Sequence, residues 1–122
     1  MTRESSLPLE GGAQRLLIHW NRLRPERTGL LPPYPNPFNP EAWIPFQLVE
    51  DSEVTVEIYD MSGELVRRLP LGRLPSGFYT RRGNAAYWDG RNSLGEPVAS
   101  GLYLVLFRAG SRVGTRRILL LK

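Results

Sequence analysis

The 122-residue chain reads as an all-β protein, an antiparallel sandwich of about seven strands preceded by a short amphipathic helix and a proline-rich strap. Three observations carry that reading. In EVTVEIYD, Val54, Val56 and Ile58 alternate with Thr55, Glu57 and Tyr59, the period-two pattern of a strand with one buried face. Short apolar runs are punctuated at Asp60–Gly63, Leu71–Gly77 and Asp89–Pro97 by glycine, asparagine, aspartate and proline. The two longest runs, GLYLVLFRAG and RVGTRRILLLK, are separated by Ala109, Gly110 and Ser111, a compact turn of the kind that joins antiparallel neighbours.

Taken in order, residues 1–27 form an N-terminal segment. Within it, 13–24 (AQRLLIHWNRLR) set Leu16, Trp20 and Leu23 at helical spacing. Pro25 ends that helix, because its ring disfavours helical geometry in the residue before it. With Leu17 added, the helix needs an apolar surface, on the sandwich, on a second copy or on a parent domain, with a partner or parent preferred and self-association through it a further expectation. Residues 28–40 (TGLLPPYPNPFNP) are a proline-rich connector in which fixed φ angles make a stiff strap. Its Leu30, Leu31, Tyr34 and Phe38 are too apolar for a solvated linker, and Phe38 is expected to plug the open end of the domain that follows. A proline-rich ligand for a partner's aromatic groove is the rival reading of this strap.

The sandwich occupies 41–122. Trp43 to Leu48 reads as an edge strand, with Pro45 tolerated where no neighbour needs its N–H. LVRRL (65–69), FYTRR (78–82) and AAYW (85–88) are shorter strands. Residues 102–107 (LYLVLF) are apolar on both faces and so predict a central strand covered on both sides. Ile118 to Leu121 are expected to close the core. Short strands with this turn spacing point to an immunoglobulin-like arrangement.

Composition narrows the function. Hydrophobic residues at 41% against 23% charged suit a globular chain, and no apolar run approaches the ~20 residues of a membrane helix, so membrane insertion is not expected. Cysteine is absent, which excludes disulfides and thiolate metal sites. Residues 1–12 lack the basic start and apolar centre of a secretory signal, so the expectation is a chain that stays inside the cell or a fragment of a longer protein. The net charge of +4 is spread along the chain, and no segment joins basic residues to stacking aromatics, so a nucleic-acid partner is not expected.

The sequence offers little to a catalyst. His19 is the only histidine and lies outside the sandwich, which removes Ser/His/Asp and Cys/His arrangements. Glu50, Asp51 and Glu53 cluster at a turn, where solvated loop charge is the ordinary explanation. No enzyme activity and no cofactor are expected. In WDGRNSLGEPVASGLY (88–103), Asp89, Asn92 and Glu96 supply oxygens a calcium ion could use, but they fall short of an EF-hand pattern. The preferred reading is a turn, capped by its Asx side chains and eased by Gly95 and Gly101, with no metal. Trp88 is read as a core aromatic and Tyr103 as a partly exposed ring with a bonded hydroxyl. Trp43, Tyr79 and Tyr87 remain candidates for a glycan-binding platform.

The order of motifs carries more than any one of them. PNPFNP (35–40), EVTVEIYDMSGELVRRL (53–69), LPSGFY (74–79), WDGRNSLGEPVASGLY (88–103) and TRRILLLK (115–122) together resemble the C-terminal sorting domain of proteins exported by the type IX secretion system. The set is similar also to the immunoglobulin-like domain of flagellar hook-capping proteins. The resemblance spans residues 34–122. It implies a non-catalytic sorting and attachment module on a larger cargo protein, passing through the periplasm to the cell surface or beyond. Its partners would be the outer-membrane secretion machinery and the parent cargo. The implied recognition residues are Pro35, Asn36, Pro37, Phe38, Asn39, Pro40, Gly101, Tyr103 and Lys122. The alternative is an immunoglobulin-like binding or structural module, taking glycan or protein or assembling as the hook-capping relatives do.

Overall fold

The computed structural model describes residues 25–122; the helix expected at 13–24, and His19 with it, lie outside the described residues. Among the described residues there are nine strands and no helix. They are β1 (Gly29–Leu30), β2 (Ala42–Ile44), β3 (Phe46–Leu48), β4 (Ser52–Asp60), β5 (Leu65–Leu74), β6 (Gly77–Tyr79), β7 (Ala86–Trp88), β8 (Gly101–Ala109) and β9 (Arg112–Leu120). All strand pairs are antiparallel. One sheet runs β5-β4-β8-β9, a second β1-β3-β6, and a third is the pair β2-β7.

The alternation read in the sequence decides which side chains go inside. Val54, Val56 and Ile58 of β4 and Val105 and Phe107 of β8 are fully buried, and they face Ile44, Phe46, Leu48 and Trp88 from the smaller sheets. Ring contacts tie the layers together: Phe46 of β3 lies 5.3 Å from Phe107 of β8, and Trp88 of β7 meets Tyr103 of β8 edge-on at 5.5 Å. Each such side chain removed from water contributes roughly 1.5–3 kcal/mol, so this seam is the main source of stability.

The structure corrects the strand reading in five places, one being the FYTRR strand, which ends at Tyr79 before a turn at 82–84. The single edge strand over Trp43–Leu48 is two strands. Pro45 has no N–H to donate, and the chain changes partner there, from β7 to β6 and β1. The turn expected at Leu71–Gly77 is largely strand, because β5 continues to Leu74. It lies at the edge of its sheet, where Pro70 leaves no neighbour unpaired, and Gly72 adopts φ +79 at a register shift against β4. β8 is central in its sheet, yet it is not covered on both sides: Tyr103, Val105 and Phe107 are buried while Leu102, Leu104 and Leu106 on the other face are half-buried. Ile118 and Leu120 close the core, but Leu121 is 51% exposed because the period-two pattern turns it outward.

On the outer face of the four-stranded sheet Glu57 is buried between arginines. Its carboxylate lies 3.7 Å from Arg68 and 3.9 Å from Arg108, and it accepts a hydrogen bond from the Tyr59 hydroxyl at 2.9 Å.

Candidate functional site

The strap lies against the end of the domain. Tyr34 and Trp43 exchange backbone hydrogen bonds (2.9 and 2.8 Å), and the Tyr34 hydroxyl donates to the Thr80 carbonyl at 2.6 Å. The chain then bends through Pro35–Pro37, with cis peptide bonds at Tyr34–Pro35, Asn36–Pro37 and Asn39–Pro40. Because the prolines have no N–H, few backbone donors need partners, and past the bend the polar groups of Asn36 and Phe38 are directed at β9. The Phe38 N–H donates to the Leu119 carbonyl at 2.9 Å, and the Leu121 N–H donates to the Phe38 carbonyl at 3.0 Å, a parallel bridge centred on Leu120. Asn36 acts as a side-chain substitute for a peptide unit. Its Oδ1 accepts the Leu119 N–H at 3.0 Å and its Nδ2 donates to the Arg117 carbonyl at 3.3 Å.

Phe38 is 1% exposed, its ring 5.3 Å from Trp88, which in turn meets Tyr103. The Tyr103 hydroxyl donates to the Ala99 carbonyl at 2.6 Å, and Lys122 donates its N–H to the Ser100 hydroxyl at 3.0 Å. Gly101 pairs with Leu120 and Tyr103 with Ile118. The nine residues singled out in the sequence therefore meet at one end of the fold, in two roles. Pro35, Asn36, Pro37, Asn39, Pro40 and Lys122 are exposed, whereas Phe38 and Tyr103 are buried and, with half-buried Gly101, hold the others in place. Tyr103 was expected partly exposed. Its burial follows from its inward position on β8 against Trp88.

The Asp89 turn locks the strap from the other side. Gly90 is buried at φ +75, and a Cβ there would stand 2.7 Å from the Pro40 carbonyl oxygen. One oxygen of each of the candidate calcium ligands is engaged in protein hydrogen bonds. Asp89 Oδ1 pairs with Arg67 at 3.0 Å and accepts the Arg91 N–H at 3.1 Å. Asn92 Oδ1 accepts from the Leu94 and Glu96 N–H groups, and its Nδ2 donates to the Glu96 carboxylate. Among the described residues no three histidine, cysteine, aspartate or glutamate side chains gather to hold a metal ion. Glu50, Asp51 and Glu53 line an open hollow of about 380 Å³ with Arg73 and Arg112, and Asp51 accepts the Ser76 N–H at 3.0 Å.

The candidate glycan platform separates into two places. Trp43 and Tyr87 are cross-strand partners with rings 5.5 Å apart, and Tyr34, overlooked for this role in the sequence, extends the row by stacking on Trp43 at 6.2 Å. The guanidinium of Arg82 sits 4.3 Å above the Trp43 ring, and the Tyr87 hydroxyl donates to Glu41. Tyr79 lies elsewhere, stacked on Phe46 with its hydroxyl donating to the Pro75 carbonyl.

Burial, and after it the Asp60 carboxylate, holds the Tyr103 hydroxyl above its ordinary value of 10.0; burial and then Asp51 do the same for Tyr79. A raised folded value means that the unfolded chain releases these protons first. Their stabilisation is therefore complete below about pH 10 and is lost as pH rises through the folded values. Thermal midpoints measured against pH are expected to hold level to about pH 9 and then fall. Tyr103→Phe should start lower by about 0.5–1.5 kcal/mol for its lost hydrogen bond, but decline less steeply on the alkaline side. An equally steep decline in that variant would refute the assignment.

Residues 42–111 match the family model of the FlgD Ig-like domain. The chain belongs to that family. In this FlgD Ig-like domain, Gly101 and Tyr103 fall inside the matched residues, while PNPFNP and all of β9 fall outside them. Among solved structures, the fold is similar to part of dimeric latent PorU from Porphyromonas gingivalis, with a TM-score of 0.60 and 22% identity over 77% of this chain and 9% of that one. It is similar also to part of PorZ from the same organism, described as an essential bacterial surface component of the type-IX secretion system, with a TM-score of 0.50 and 23% identity over 77% of this chain and 12% of that one. The chain thus corresponds to a small share of either protein's length, and at these identities the likeness is one of fold. No curated protein matches it significantly.

Proposed function

We propose that this FlgD Ig-like domain is a non-catalytic sorting and attachment module, carried by a larger cargo protein and recognised by outer-membrane secretion machinery of the type IX kind. The cargo would pass through the periplasm to the cell surface. The observation that supports this most is the clamped end of the fold. The strap is held by Phe38 and Asn36 against β9, so Pro35, Pro37, Asn39, Pro40 and Lys122 form an outward surface whose shape is set before any partner arrives. A receptor meeting a preorganised surface loses less free energy to ordering it. The fold likeness to a segment of PorZ is in keeping with this reading.

The test is a reporter fused ahead of the domain in a bacterium that has this secretion system. With the native domain the reporter is expected at the cell surface or in the medium. The joint variant Pro35→Ser, Pro37→Ser and Pro40→Ser should lower that delivery by about tenfold, with the β-sheet circular dichroism signal retained. Equal delivery by the folded triple variant would sink the reading. The family assignment favours a second reading, a structural piece of an extracellular assembly; a native domain that delivers no reporter but co-purifies with filament subunits would select it.

A further inference from the structure

β9 has one strand partner, β8, and an outer edge that the strap covers only in part. Leu119 directs both its N–H and its C=O to the strap. In an extended chain every second residue presents its peptide groups to the same side, so Arg117, Thr115 and Val113 do so too. The cover stops where Asn36 takes the Arg117 carbonyl. Among the described residues, nothing pairs with the Arg117 N–H or with the N–H and C=O of Thr115 and Val113. Nor does β1 fill the gap. Leu30 packs on the inner face of Gly114, where a Cβ would stand 3.0 Å from the Leu30 Cβ, and the Arg116 guanidinium caps the Leu30 carbonyl at 3.2 Å.

An uncovered row of peptide groups is a template for another strand. This one is bordered by exposed Arg112, Arg116 and Arg117, none of which lies within ion-pair distance of an acid among the described residues. Val113, 58% exposed, adds an apolar foothold. We propose that the outer edge of β9 from Val113 to Arg117 receives an extended acidic segment of a partner protein as an added strand. Antiparallel pairing of two β9 edges about Thr115 would set Arg117 opposite Val113 and gather the arginines of both strands with no acid between them, whereas an acidic strand supplies the opposite charge. This rests on the recognition reading above and narrows it: the strap marks where the added strand must stop, and the open edge beside it supplies the bonds.

Two experiments test it. The first uses the full chain and a synthetic peptide of about eight residues alternating glutamate with valine. Binding should slow amide exchange at Val113, Thr115 and Arg117, should vanish when alternate peptide nitrogens are methylated, and should weaken about tenfold in the Arg112→Glu, Arg117→Glu double variant. Equal binding of a lysine–valine peptide, or protection centred on Trp43 and Tyr87, would overturn the proposal. The second places Thr115→Pro in the reporter fusion. The Thr115 N–H points away from β8, so proline removes no bond within the sheet; Thr115→Glu, which keeps the N–H but repels an acidic strand, serves as a second variant. Both should lower delivery about tenfold at an unchanged thermal midpoint. Full delivery by both variants overturns the edge proposal, whereas a native fusion that is not delivered overturns the recognition reading, leaving the peptide result to judge the edge. A concentration-dependent dimer that Thr115→Pro abolishes would assign the edge to a second copy and also overturn the proposal.

Discussion

Phe38→Ala is expected to lower the stability of the domain by about 3–5 kcal/mol, the range for emptying a buried aromatic site. At this chain length that is a fall in thermal midpoint on the order of 10–20 °C. The ring is almost wholly enclosed, and its neighbour Trp88 is itself fully buried, so little local collapse can refill the space. The loss should also loosen the strap, because the buried ring is what holds the Phe38 N–H and carbonyl, both kept in alanine, in place against β9. Chemical denaturation gives the size of the effect, and amide exchange at Phe38 and Leu121 reports the release. If Phe38→Ala unfolded at the native midpoint, the strap would be an appendage and not part of the core.

The second large effect falls on a residue with no side chain. Gly90→Ala should cost about 3 kcal/mol or more, since a positive φ alone strains an alanine by about 1–2 kcal/mol and the new methyl would also overlap the backbone of Pro40. Gly95 is the control, because its φ of +81 is similar but nothing lies within 4 Å of the added carbon. Gly95→Ala should therefore show the backbone strain alone, about 1–2 kcal/mol. The difference between the two variants measures how firmly the Asp89 turn is seated on the strap. Similar losses in both would mean that the turn and Pro40 can move apart at little cost.

The parts of this fold that were legible in the sequence are those governed by local alternation. Val54, Val56 and Ile58 reveal their inward face because Thr55, Glu57 and Tyr59 separate them, whereas Leu102, Leu104 and Leu106, alternating with Tyr103, Val105 and Phe107, hid which face of β8 is buried. The boundaries misread were those where tertiary pairing overrides a local breaker. Pro70 and Gly72 look like punctuation, yet an edge position makes the first harmless and a register shift uses the second. Pro45 looked tolerable inside one strand, but its missing N–H falls where the chain passes from one partner to another. Of the candidate site, Phe38 was expected as a plug and is buried, but the rest of the division of labour was not legible. Nothing local marked Tyr34, which is half-exposed, as joining the Trp43 row. The open edge of β9 was invisible for the same reason, since only the distant Asn36 determines where its cover ends.

The bridge between Phe38 and Leu120 joins two segments that run in the same direction. Tension applied to the chain ahead of the strap and resisted at Lys122 would, once β1 has peeled away, pull these two segments past each other lengthwise. The Asn36 and Phe38 bonds would then bear the load together instead of tearing one after another. A pull between the strap and the tail would thus load the bridge as a shear joint.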